Sequence, residues 1–550
     1  MSDFYQQSLP AGRFRITRPT HKTLALTAAF GTVLALAGCG SNLRPTTTPI
    51  VGTGPASQPA SYAFVISAPS ATAQGVGTVI DYSGDTVMAT APIGPAPVTF
   101  TINSAGTEAW SLNGDGTLSN IPVSTSLQNK NVYFSTLNPI PTTGSFAGLD
   151  PVVALYDGAV GLFALDDNTN EVDVLNGSPA AAFKLVIPVD QTPVTMVGVS
   201  TASRYYVISQ TVPYASQINV GGVLMNGGVA CNINPSGVAS ATVNGAPIPT
   251  TGVADGIETS SNTRSSQIPV GVCPVYAVGS PDTRRVFVLN RGSDTISVIN
   301  SQNNAIDNTC PPPTGCVNQN GQQYFSHPAL PLSTKAVTAT GITPPNGAAG
   351  LPAVAGPVYA EYNAATQQLV VSNYDGNTIN IIDVSLDEYG NDSATFGTTY
   401  TVPVGKNPAS VTVLADGSRA YVANQSDSTV SIVTMSSHSI ETTLPVTGHP
   451  RTVVSTQNSL YGKVYVASPD SPYITIIRTD QDIISTTVLV QGNALDVRTT
   501  SPDASTSNLN LVSRLPGAGQ PCYLPLSELP AASITTANCK YQDATLLTGP

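Results

Sequence analysis

Residues able to do chemistry are few in this chain of 550. There are four histidines (His21, His327, His438, His449), one tryptophan (Trp110) and seven cysteines. A hydrolase drawn from such a set needs an acid–base group and an anion-binding partner that converge. Glu361, Arg291, Asp294 and Arg451 are of the right type, but nothing local separates them from turn and surface charges. His449, in Gly448-His449-Pro450, stands at a corner leading into an apolar segment, which makes it either a ligand contact or a loop histidine. There is no GxSxG elbow, HExxH pair or phosphate loop. No cysteine pair has CxxC spacing and no CxxCH occurs, so no metal and no covalent haem are expected.

The elements that would position these residues recur. Ala420–Thr434, AYVANQSDSTVSIVT, reads as two short strands joined by a polar turn. The pattern returns at Leu162–Asn176, Val286–Asn300, Leu369–Asp383 and Val464–Arg478. Each is preceded by a proline-led strand, at Pro97, Pro151, Pro193, Pro274, Pro357, Pro408 and Pro450; proline can open a strand but not sit centrally in it. A fourth strand often ends in a corner such as Val402-Pro403-Val404-Gly405. Four strands every 40–50 residues, roughly, is the spacing of a β-propeller.

The two ends complement each other. Ser61–Gly94 holds strands two to four of a unit without a first, and Asn493–Asp503 is a first strand without a sequel, with Leu495 and Val497 alternating along it. The expectation is an all-β propeller over 61–503 with four-stranded blades, eight by count, closed by strands from both termini. Two units are swollen, giving expected insertions at 209–267 and 301–356, and 504–550 reads as a tail. Tyr205, Tyr276, Tyr359, Tyr421 and Tyr465 fall on strands, where core packing is their expected role. A quinone cofactor would need a tryptophan floor that Trp110 alone does not supply, so no cofactor is expected.

Charged residues make up only 10% of the chain, and the net charge is -12, which excludes a nucleic-acid partner that depends on clustered Lys and Arg. The N-terminus is basic through Arg13, Arg15, Arg18 and Lys22, and then runs through a short apolar stretch, Thr23–Leu36, to Leu36-Ala37-Gly38-Cys39. This ending resembles the lipobox of bacterial lipoproteins. The resemblance implies a signal peptide at 1–38 and a diacylated Cys39 as mature N-terminus; Gly40 after it favours an outer membrane. Residues 39–60, rich in Pro, Thr and Ser, read as a tether. Export to an oxidising compartment predicts disulfides among Cys231, Cys273, Cys310, Cys316, Cys522 and Cys539. Six cysteines allow about 15 pairings; nearness suggests Cys310–Cys316 and Cys522–Cys539, leaving Cys231–Cys273.

Tyr421-Val422-Ala423-Asn424, with Gly405–Pro408 ahead and Asp416-Gly417 in the turn, resembles the YVTN-type β-propeller repeat of exported and surface-layer proteins. The match runs well over Val270–Gly492 and degenerates over Ser61–Gln267. Asn290 and Asn373 keep the final position, while Asp166 and Ser468 replace it; a short side chain capping the turn through the backbone two residues on would explain the set. The resemblance implies seven blades as the alternative count. The lipobox-like ending, the repeats and the absence of a catalytic constellation together predict a monomer anchored to the membrane by lipid, acting as a non-catalytic binding or cell-envelope scaffold for a protein, peptide or glycan. The alternative function is a periplasmic lactonase-like hydrolase working in the channel. His449, Arg451, Arg291 and Glu361 are the candidate channel residues.

Overall fold

The computed structural model describes residues 62–499, less 71–72, 103–105, 107, 115–116, 123–132, 137–150, 159–160, 167–168, 177–182, 191–192, 200–203, 212–216, 221–222, 227–241, 244–245, 248–250, 319 and 457–458. The expected signal, tether and tail, with Cys39, Cys231, Cys522 and Cys539, lie outside the described residues. Among the described residues no helix is long and apolar enough to cross a membrane.

The hairpin read at Ala420–Thr434 is the middle of a four-stranded antiparallel sheet, Pro408–Val413, Arg419–Asn424, Thr429–Thr434 and Ser439–Pro445, counted here as blade six. Its two central strands are buried because Tyr421, Val422, Ala423, Val430 and Ile432 face neighbouring sheets on both sides. The outer strand alternates exposed and half-buried residues, as an edge facing water does. Seven further sheets repeat this plan. Blades one to five open with the inner strands Pro97–Ile102, Pro151–Gly158, Pro193–Val199, Pro274–Gly279 and Pro357–Asn363, and blade seven with Thr452–Ser455.

Blade eight closes the ring. Its inner strand is Asn493–Thr499, and its other three are Tyr62–Ala68, Gln74–Asp81 and Val87–Pro95. Asn493–Thr499 pairs antiparallel with Tyr62–Ala68, Val65 opposite Val497, and also packs beside the inner strands of blades seven and one. The count is therefore eight. The seven-blade alternative fails because Pro97–Thr136 is a full four-stranded blade. Aromatic rings couple adjacent blades: Phe64 meets Phe100 at 5.1 Å between centroids, Phe163 meets Tyr205 at 4.7 Å, and Tyr276 meets Tyr359 at 4.7 Å.

The expected insertion at 209–267 is too wide. Val253–Glu258 and Thr263–Pro269 are strands three and four of blade three, so the extra chain lies between Ser209 and Val253 and includes a small sheet of its own. The insertion at 301–356 interrupts an outer strand. Ala305–Ile306 and Ala329–Pro331 both pair with Thr295–Asn300, and a short hairpin, the Cys310–Cys316 disulfide and the helix Thr334–Thr340 fill the remainder. His327 fastens this insertion to blade five, its Nδ1 lying 2.9 Å from Asp392, which also pairs with Arg285 at 3.1 Å. Cys273 is disulfide-bonded as well; the pairing expected for it, with Cys231, lies outside the described residues.

The candidate channel and the contacts that line it

The asparagines that end the second strands of blades one, four, five and six do not cap their turns through the backbone. They donate across the hairpin to the facing strand. Asn424 Nδ2 reaches Thr429 Oγ1 at 3.0 Å and Ser431 Oγ at 2.8 Å; Asn290 reaches Thr295 at 3.2 Å and Ser297 at 3.0 Å. Asn373 bonds Thr378 at 3.0 Å and Asn380, and Asn113, which the sequence reading passed over, bonds Thr117 at 3.0 Å and Ser119 at 2.8 Å. The corner glycine entering the same blade sits on this amide: a Cβ at Gly405 would lie 2.6 Å from Asn424 Cγ, and one at Gly271 2.5 Å from Asn290 Cγ. The acceptor on strand three also takes a corner N–H, as Ser119 does from Gly94 at 2.9 Å and Ser297 from Gly271 at 3.1 Å. The motif is thus a clamp between the corner and its blade.

In blade three the equivalent acceptor is Asp255, which takes the Asp190 N–H at 2.8 Å. Burial pushes this carboxyl up to about 7, the Asp190 N–H opposing, and Arg264 lies 3.4 Å away.

Inner strands expose one edge to the ring's centre, and its amides need partners. Side chains of an adjacent blade supply them. Ser410 Oγ accepts from Val453 N at 3.1 Å and donates to Arg451 O at 2.8 Å. Thr412 Oγ1 accepts from Ser455 N at 3.2 Å. Glu361 Oε1 accepts from Val413 N at 3.0 Å, and Thr499 Oγ1 donates to Ser455 O at 3.2 Å.

Four of the five sequence candidates are held in separate contacts. Arg291 forms a bidentate pair with Asp375 of the next blade, at 3.0 and 2.7 Å, and lies 5.4 Å from the centre of the Tyr374 ring. Burial raises the Asp375 carboxyl while Arg291 holds it down. His449 Nδ1 and backbone N both meet Asp470, at 2.6 and 2.8 Å, and Lys406 N meets Asp427 at 2.6 Å in the same way one blade earlier. Glu361 serves the blade-six edge, as above. Asp294 accepts from Ser333 Oγ, Ala355 N and Gly356 N at 2.8, 3.0 and 2.8 Å, an anchor for the insertion.

Arg451 is different. It is 5% exposed, Nη2 donates to Leu495 O at 2.9 Å, and its buried Nε has no hydrogen-bond partner. Burial pushes its guanidinium down, Asp496 opposing and Arg498 adding to the push. Arg498 and Asp496, on the closing strand, form a pair at 3.2 Å. Burial works against the Arg498 charge, but Asp496 and the phenols of Tyr359 and Tyr276 outweigh it. Those tyrosines come from blades five and four, opposite blade eight in a ring of eight, so Arg498 faces the centre. It also lies 6.0 Å from the centre of the Phe100 ring. Sequence reading placed Arg498 only as a member of a strand.

Among the described residues no three His, Cys, Asp or Glu side chains converge as a metal site. No family model matches the chain. No curated protein matches it either. Solved structures with a similar course include AztD from Citrobacter koseri, 12% identical, covering 80% of this chain and 97% of that one at a TM-score of 0.46. Dihydro-heme d1 dehydrogenase NirN in complex with DHE is 12% identical, covering 81% and 76% at 0.48. Kuenenia stuttgartiensis hydrazine synthase is 15% identical, covering 72% and 99% at 0.36. Likeness at this level assigns no activity.

Proposed function

We propose that this propeller is a lipid-anchored, exported binding or cell-envelope scaffold that performs no catalysis. One observation carries the reading: Glu361, Arg291 and His449, three of the acid–base and anion-binding side chains that a channel hydrolase would use, are already engaged in holding the blades and their corners. Glu361 accepts an edge amide of blade six, Arg291 is chelated by Asp375, and His449 is held by Asp470. A group fixed in this way has little freedom to exchange protons with a substrate. The lipobox-like Leu36–Cys39 and the YVTN-like repeats support the exported, anchored setting.

Two experiments test it. The full chain, incubated with a panel of lactones and esters, should turn none over; hydrolysis that disappears in Glu361→Gln would establish the hydrolase instead. Cys39→Ser should move the protein from the membrane pellet to the soluble fraction, and a variant still pelleting after a salt wash removes the lipid anchor from the reading.

A further inference from the structure

We infer that the channel sector between blades seven and eight binds an oxyanion, a carboxylate or phosphate group of a small ligand, through Arg451 and Arg498. This rests on the reading above, in which the ligand is held and not transformed.

The argument begins from the repeat. The residue after the opening proline is Val98, Val152, Val194, Val275, Val358 and Ala409 in blades one to six, and Arg451 in blade seven. Where a side chain there is described it is buried, as Val194, Val275, Val358 and Ala409 are. A guanidinium has replaced an apolar group in a buried position, and a buried cation is costly unless matched. Among the described residues Arg451 is not matched by an acid. Its one hydrogen bond there goes to a neutral carbonyl, its Nε is left over, and it forms no ion pair. The nearby carboxylate, Asp496, is already paired with Arg498. Arg451 feels that carboxylate's attraction together with the repulsion of Arg498. An anion entering between them would supply the missing charge and the acceptor for Nε. The planar forks suit carboxylate and phosphate oxygens. The Arg498 side chain is 12% exposed, which leaves the cluster a face toward solvent.

The test is calorimetric titration of the full chain with inorganic phosphate and, separately, with acetate, at constant ionic strength set by chloride. Saturable binding of either supports the site and says which group it takes. The melting temperature should then rise by roughly 2–4 °C at saturation. Arg451→Met, which keeps the apolar stem, should weaken binding at least tenfold, and Arg498→Met should do the same should the first variant not fold. Generic stabilisation by phosphate is the same in wild type and variants; equal responses, or no binding of either anion, overturn the inference. Such a failure leaves the scaffold reading standing, whereas turnover of a bound ester would sink that reading and leave the anion site intact.

Discussion

Blades five and six and blades seven and eight build the same channel edge from different materials. In the first pair the inner-strand side chains are Glu361, Ser410 and Thr412, each accepting a backbone N–H of the next blade. In the second pair the inner edge carries Arg451, Asp496 and Arg498, whose charges are not balanced among themselves. The hydroxyls satisfy groups that the fold itself leaves open. Arg451 gives one hydrogen bond to a neutral carbonyl and keeps an unused Nε. Where a repeat departs from its own rule without a structural gain, the departure marks a place for function.

The comparison has meaning only in a closed ring, so the largest effect should come from opening it. Ending the chain at Gln491 removes the Asn493–Thr499 strand and every ladder bond it makes to Tyr62–Ala68. Ending it at Asp503 keeps them. The shorter chain should lose most of its stability, more than about 5 kcal/mol, a large part of what a typical domain possesses. Thermal melts of the two truncations check this; identical curves would mean that the strand does not hold the ring. Val497→Asp, which places a charge at a fully buried position, should cost about 3–5 kcal/mol.

Next in size is Asp255, where blade three puts a carboxylate at the position that blades one, four and six fill with Ser119, Ser297 and Ser431. Burial raises its folded pKa to about 7. The folded state therefore holds a proton that the unfolded state releases from about pH 4 upward. Stability from this group is full below pH 4 and is lost as pH rises to 7. Asp255→Ser restores the common residue and removes the titration. Relative to wild type the variant should gain about 2–4 kcal/mol between pH 4 and pH 8. Denaturant melts across that range decide it, and parallel stability curves would contradict the buried-acid account.

Third is the clamp. Asn424→Ala removes two buried side-chain hydrogen bonds and should cost about 2 kcal/mol. Ser468→Ala, in a blade where serine stands in this place, removes one, to Thr447 O, and should cost about half that. Equal losses in chemical denaturation would show that the clamp gives no advantage to the asparagine blades.

What could be read in advance follows from the range of the interactions. Strand periodicity, opening prolines and turn residues are local, so blades four to seven and the two half-blades at the ends were visible. The Asn424 partners lie five and seven residues on, across a hairpin, and the Gly405 contact comes from the preceding corner; these depend on pairing, so the motif is legible in the sequence and its bonds are not. Strand three of blade three, VADGIE, has a glycine and two acids where β-branched residues were sought, which is why it was absorbed into an insertion. Asp496 and Arg498 were obscured by the shift in register between Ile66 and Ser67, which places Leu495 in a bulge and breaks the alternation expected of a half-buried strand.

The smallest effect separates the two sectors most directly. Glu361 is the charged exception on the hydroxyl side of the channel, 3% exposed, and its Oε1 takes the Val413 N–H. If acceptance of that amide is its role, as for Ser410 and Thr412, the charge is incidental and the oxygen is what matters. Glu361→Gln retains an oxygen of the same reach and should change stability by less than about 1 kcal/mol. Glu361→Leu has similar bulk but leaves the Val413 N–H facing apolar surroundings, which should cost about 1–3 kcal/mol. Neither variant should alter phosphate or acetate binding at Arg451. The ordering Leu worse than Gln, read by urea melts beside unchanged anion titrations, assigns Glu361 to the scaffold; a Gln variant as damaged as Leu would show that the carboxylate charge itself is needed and that the two sectors are less different than their hydrogen bonds suggest.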